Sequence, residues 1–114
     1  MRLRDVELRQ VVAERVLILA PDGLVTARIG LPFTPPDYPN ESWCPWQIEG
    51  LGDGRVRAAV GIDSVQALWL AFQRVGSELY MTEEYASGRL MAFPNDAKGD
   101  LGFPVLQEGQ LPNA

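Results

Sequence analysis

The chain has 114 residues, 46% hydrophobic and 22% charged, enough for one domain with a real core and far from the polar profile of a disordered chain. Ten basic and fifteen acidic side chains give a net charge of -5, whose field repels phosphate backbones and anionic lipid and so disfavours nucleic acid and membranes as partners. The sequence contains no histidine and one cysteine, Cys44, which removes Ser-His-Asp triads, Cys-His dyads, His-based zinc sites and any internal disulfide.

No apolar run approaches the roughly 18 to 20 residues that a bilayer span requires. Acidic Asp5 and Glu7 follow the early arginines before any apolar stretch, unlike a signal peptide, so the expected location is the cytoplasm. Residues 11–20 form a β-branched run that ends in Pro21-Asp22-Gly23, and Val25, Ala27, Ile29 and Leu31 then alternate on one side. Two alternating runs about a Pro-Asp-Gly turn make a β-hairpin. The segment before it, around Val6 and Leu8, fits either an early start of the first strand or a helical turn.

Four prolines between residues 32 and 39 exclude a central strand, because proline lacks the donor that the ladder needs. That stretch reads as a surface loop. A second hairpin follows: Cys44, Trp46 and Ile48 alternate with Pro45, Gln47 and Glu49, residues 50–54 turn, and residues 55–62 return. In the return strand Val56, Ala58, Val60 and Ile62 share the apolar face expected of a sheet packed on one side.

Asp63 is an N-cap, Gln66 its capping-box partner and Ile62 a staple for Ala67, so a helix of about residues 64–79 begins here. Val65, Leu68, Trp69, Phe72, Val75, Gly76 and Leu79 would form its sheet-facing stripe, with Gln66, Gln73, Arg74, Ser77 and Glu78 outward. A short helical turn around 82–86 ending at Gly88, then a short apolar piece at 89–93, complete the elements. The expected fold is α+β: an antiparallel sheet of about four strands with one main helix on one face. It is a single domain over 1–105, with an irregular or frayed tail at 106–114.

The segments Cys44-Pro45-Trp46-Gln47-Ile48-Glu49-Gly50-Leu51-Gly52, Val60-Gly61-Ile62-Asp63-Ser64-Val65-Gln66-Ala67-Leu68 and Asp100-Leu101-Gly102-Phe103-Pro104 resemble a bacterial domain-of-unknown-function family of short soluble proteins. The resemblance spans about residues 11–105 and implies a bacterial, soluble, single-domain protein. It carries no catalytic residue to transfer.

The residues themselves offer little chemistry. Cys44 has no histidine to activate it and reads as a packed apolar side chain, and Ser64 belongs to a helix cap. The glycine-rich run 50–54 lacks the Lys-Ser/Thr of a phosphate loop and precedes a strand. Glu49, Asp53 and Asp63 would hold a hard cation if they converged, with Arg57 as an electrostatic aid; this is the alternative of a small carboxylate- or metal-dependent enzyme.

Two stretches combine aromatic and acidic side chains without basic ones. Tyr38, Trp43 and Trp46 lie in the first, and Tyr80, Glu83, Glu84 and Tyr85 in the second. Exposed aromatics ringed by acids suit a basic protein partner; the competing reading is that they are core and loop cover. The leading expectation is a non-catalytic, cytoplasmic protein-binding module of the immunity or antitoxin kind, with no cofactor. A homodimer through Leu70 or an open sheet edge is the third reading.

Overall fold

A computed structural model describes residues 2–105; the tail expected at 106–114 lies outside the described residues. Five strands form one antiparallel sheet: β1 (Val11–Leu19), β2 (Gly23–Gly30), β3 (Ser42–Glu49), β4 (Arg57–Gly61) and β5 (Leu90–Met91), in the order β4-β3-β2-β1-β5. The main helix α1 (Ser64–Tyr80) packs on β3 and β4, and the single turn α2 (Glu83–Ala86) leads into β5. The α+β class, both hairpins and the main helix agree with the sequence reading. The additional strand is the apolar piece after Gly88, which returns beside β1 with Ile18 opposite Met91 and Leu19 opposite Leu90.

The hairpin turns explain the register. Gly50 closes the β3–β4 turn with φ of 101°, and a Cβ there would lie 2.5 Å from the Leu24 carbonyl oxygen, so only glycine fits. Ala27 then faces Ile48 and Ile29 faces Trp46, while Cys44 faces Ala59. These residues join Leu17 and Val25 of the first hairpin, Ala67, Ala71, Val75 and Leu79 of α1, and Leu90 and Leu101 in one buried apolar cluster.

Two expectations about faces are overturned. In β4 the buried side is Ala59 and Gly61, whereas Val60 is 36% and Ile62 77% exposed. The first turn of α1 lies directly on the strand: a Cβ on Gly61 would meet the Ala67 backbone nitrogen at 2.5 Å. Small residues permit that approach and larger ones would push the helix away. The helix is rotated accordingly, burying Ala67, Ala71, Val75 and Leu79, every fourth residue. Val65 and Trp69 face solvent, Gln73 is buried, and Leu70 packs partly against the core instead of standing on a polar side.

The cap forms as expected at its centre, with Asp63 Oδ1 accepting from the Gln66 backbone N–H at 2.8 Å, and Gln66 Oε1 accepting from Ile62 N–H at 2.8 Å. Ile62 itself is too exposed to be a staple.

Over β1 the covering layer is the C-terminal segment. Arg15 Nη1 donates to the Leu101 carbonyl at 2.8 Å, and its guanidinium lies 5.3 Å from the Phe103 ring centre. Gly76 lets that segment close on the helix, because a Cβ there would stand 2.2 Å from the Pro104 carbonyl oxygen. Among the described residues the opposite face of the sheet carries no α-helix; a single 3-10 turn, Leu3–Asp5, touches β4. Only its β3–β4 side is covered, by the proline-rich loop and by residues 6–8: Val6 is buried and the Leu8 side chain lies over Gly30 beside Pro45.

Candidate functional site

The aromatic and acidic residues singled out from the sequence are distributed over three places. Trp43 and Trp46 stand three positions apart on β3, hence on opposite faces, and both are buried. Trp43 lies under Phe33, edge-on at 6.2 Å between ring centres, and under Tyr38, stacked at 5.4 Å; its Nε1 donates to Glu41 at 3.1 Å. Trp46 belongs to the main core.

Tyr80 and Tyr85 meet edge to face at 4.9 Å and hold the loop before Leu101. Tyr80 Oη donates to Asp100 Oδ1 at 3.1 Å and accepts from Leu101 N–H at 2.7 Å, and Tyr85 Oη donates to the carbonyls of Lys98 and Gly99. Asp100 also accepts from Gly102 N–H, and that bond, followed by the Tyr80 hydroxyl, keeps its carboxyl below the usual range. Glu83 is exposed and pairs with Arg89 at 3.5 Å; Glu84 is half-buried on the same turn. The tyrosines thus anchor a loop.

The carboxylates considered for a cation do not converge. Glu49 is on the uncovered sheet face against Arg28, Asp53 is in the β3–β4 turn, and Asp63 caps α1. Among the described residues no group of three His, Cys, Asp or Glu side chains is placed to hold a metal. Cys44 is fully buried, and burial pushes its thiol up to about 11, the opposite of an activated nucleophile. Ser64 is exposed at the first position of α1, behind its cap.

Two features were not legible in the sequence. One is a cavity of about 240 Å³ between the β3–β4 turn and the end of α1, lined by Trp46, Ile48, Leu51, Arg57, Glu78 and Leu79, with residues 52–54 and Thr82 at its margin. The Arg57 guanidinium lies 5.9 Å from the Trp46 ring centre and pairs with Asp53 at 3.3 Å. Asp53 accepts from Arg55 N–H, which together with Arg57 lowers its carboxyl pKa. Trp46 Nε1 is buried without a hydrogen-bond partner.

The other feature is the uncovered sheet face. Val16 and Leu24 are 51% and 64% exposed and lie near half-buried Ile18 and Met91 at one end. Beside them runs a charged row in which Arg28 reaches Glu14 at 3.0 Å and also pairs with Glu49. These two carboxylates, Glu49 foremost, raise the pKa of the Arg28 guanidinium further.

Among the described residues no helix is long and apolar enough to cross a membrane. Comparison with curated proteins and with solved structures found no match. Residues 13–105 match the family described as Domain of unknown function (DUF6968), a span that includes every strand except the first two residues of β1, both helices and the C-terminal covering segment. The chain belongs to that family.

Proposed function

We propose that the domain is a non-catalytic protein-binding module of the bacterial cytoplasm, docking its partner on the uncovered sheet face. The observation that carries this reading is the apolar group Val16, Ile18, Leu24 and Met91 beside the Glu14-Arg28-Glu49 row, on a face that no α-helix covers among the described residues. An apolar centre bordered by charge is the usual anatomy of a protein interface. The net charge of -5 favours a basic partner, as in immunity or antitoxin proteins that cap a basic toxin.

The test is affinity capture from the native host with three baits: the wild type, Val16→Asp/Leu24→Asp, and Glu83→Lys/Glu84→Lys. The expected result is one basic protein held stoichiometrically by the wild type and by the α2 variant, and lost with the face variant. Capture that survives the face variant, or no retained protein at all, overturns the reading. Loss with the α2 variant alone would transfer the interface to the acidic tyrosine-bearing segment.

Self-association is the second reading, favoured by one observation. On its outer side β1 is paired with β5 only at Ile18 and Leu19, and among the described residues no strand pairs with residues 11–17 there. Sedimentation showing a dimer that dissociates on dilution would support it, and a monomer at high concentration would remove it.

A further inference from the structure

We infer that the partner engages the domain along the free edge of β1, adding an extended strand beside residues 13–17 whose side chains over the uncovered face alternate a basic with an apolar residue. The inference rests on the sheet-face reading and states how the partner is held there.

The direction of the backbone groups carries it. Ala20 N–H donates to the Arg89 carbonyl at 2.9 Å, on the β5 side of β1. Successive residues of a strand point their N–H and C=O to alternate sides, and the β1–β2 register is unbroken from Ala13 to Leu19. Glu14, Val16 and Ile18 therefore point these groups outward, while Ala13, Arg15 and Leu17 point theirs to β2. Met91 takes Ile18, and β5 ends there. Glu14 and Val16 each keep an N–H and a C=O with no backbone partner among the described residues, the arrangement to which an added strand bonds.

Nothing in this run guards the edge. Solitary edges are blunted by proline, bulges or outstanding charge. Residues 13–17 contain no proline, and the irregularity of the ladder lies before Ala13. Both charged side chains are occupied within the domain, Arg15 by the Leu101 carbonyl at 2.8 Å and Glu14 by Arg28 at 3.0 Å.

The side chains select the strand. Glu14 shares Arg28 with Glu49, so the row holds one more carboxylate than guanidinium, and a lysine or arginine opposite Glu14 completes it. Val16, two residues on, is 51% exposed and takes an apolar neighbour. A second copy of β1 matches less well. The antiparallel register that joins Glu14 to Val16 sets Arg15 against Arg15, and a shift of two residues either sets Glu14 against Glu14 or runs into Met91 on Ile18.

Amide hydrogen exchange tests the edge first: in dilute protein it should be fast at Glu14 and Val16 and slow at Arg15 and Leu17. Protection of Glu14 and Val16 there would overturn the inference; so would protection that grows with protein concentration, which identifies a second copy as the occupant. The probe is the capped peptide Thr-Val-Thr-Lys-Thr-Val-Thr. It should slow exchange at Glu14 and Val16 with a Kd at or below about 1 mM. Glutamate in place of its lysine should weaken binding about fivefold, and N-methylation of its lysine and valine amides at least about tenfold.

Val16→Pro removes an N–H that β2 does not use, a change that a strand edge tolerates, and should weaken the peptide by at least about tenfold. Val16→Thr keeps the N–H and should cost no more than about threefold. No binding at about 5 mM peptide, or equal affinity for the N-methylated peptide, overturns strand addition; that comparison also decides it should Val16→Pro fail to fold. In capture from the host, a partner lost with Val16→Asp/Leu24→Asp but kept by Val16→Pro leaves the sheet-face reading standing and overturns this one. Absence of any captured partner removes the sheet-face reading, and the peptide titration then decides the edge by itself.

Discussion

The two faces of the sheet are built by different rules. The centre of the covered face is Leu17, Val25, Ala27, Ile29, Cys44, Trp46 and Ala59, all at most 3% exposed, and the backbone of α1 comes so near that Gly61 has no room for a methyl group. On the other face Val16 and Leu24 remain about half exposed beside a row of ion pairs. Both faces carry valine and leucine side chains. What separates them is contact distance: a close-packed face is intolerant of added or lost volume, and a face against water is not.

The largest effect expected from breaking this contrast is at Leu79, fully buried where α1 meets the core. Leu79→Ala should lower the unfolding free energy by about 2 to 5 kcal/mol, read from urea midpoints. Gly61→Ala comes next, at about 1 to 3 kcal/mol, because the new methyl meets backbone that cannot yield; a neutral result would mean that α1 lies farther from β4 than described. Asp63→Ala, which deletes the N-cap acceptor, should cost about 1 kcal/mol.

Cys44 tests the covered face by chemistry. The thiol should not react with Ellman's reagent in the native protein and should react promptly once denatured. Its raised pKa also has a sign. The native state keeps the proton between the ordinary thiol range near about 8.5 and about 11. The stabilisation is thus complete below that range and declines as pH rises toward 11. Cys44→Ala should flatten the alkaline slope of stability; an unchanged slope would show the thiol to be accessible.

The smallest effect on stability belongs to the uncovered face. Val16→Asp and Leu24→Asp should each stay within about 0.5 kcal/mol of the wild type while eliminating partner capture. If they unfold the domain instead, the face is more tightly packed than its exposure shows.

Much of the local structure follows from short-range chemistry. Pro21-Asp22-Gly23 turns the first hairpin, Gly50 with its positive φ turns the second, and Asp63 with Gln66 starts α1. Such signals act within a few residues and do not depend on what packs above them. The alternation of Cys44, Trp46 and Ile48 likewise marks the side of β3 that joins the main core, although Trp43 on the other side is equally buried. The candidate site was less legible: Trp43, Trp46, Tyr80 and Tyr85 were visible as aromatic residues in acidic surroundings, but composition does not say which way a side chain points.

Three matters were decided only by the tertiary structure. The rotation of α1, with Trp69 outward and Gln73 inward, came from Ala59, Gly61, Ala67 and Ala71 allowing the backbones to approach. The meeting of Trp46 with Arg57 and Glu78 around one cavity joins elements separated in sequence. The exposure of one face of β1 and β2 depended on where α1 and the C-terminal segment came to rest. Turns, caps and alternation are local and were determined by the sequence itself; facing, rotation and cavities are properties of pairs of elements, settled by the volumes and distances between them.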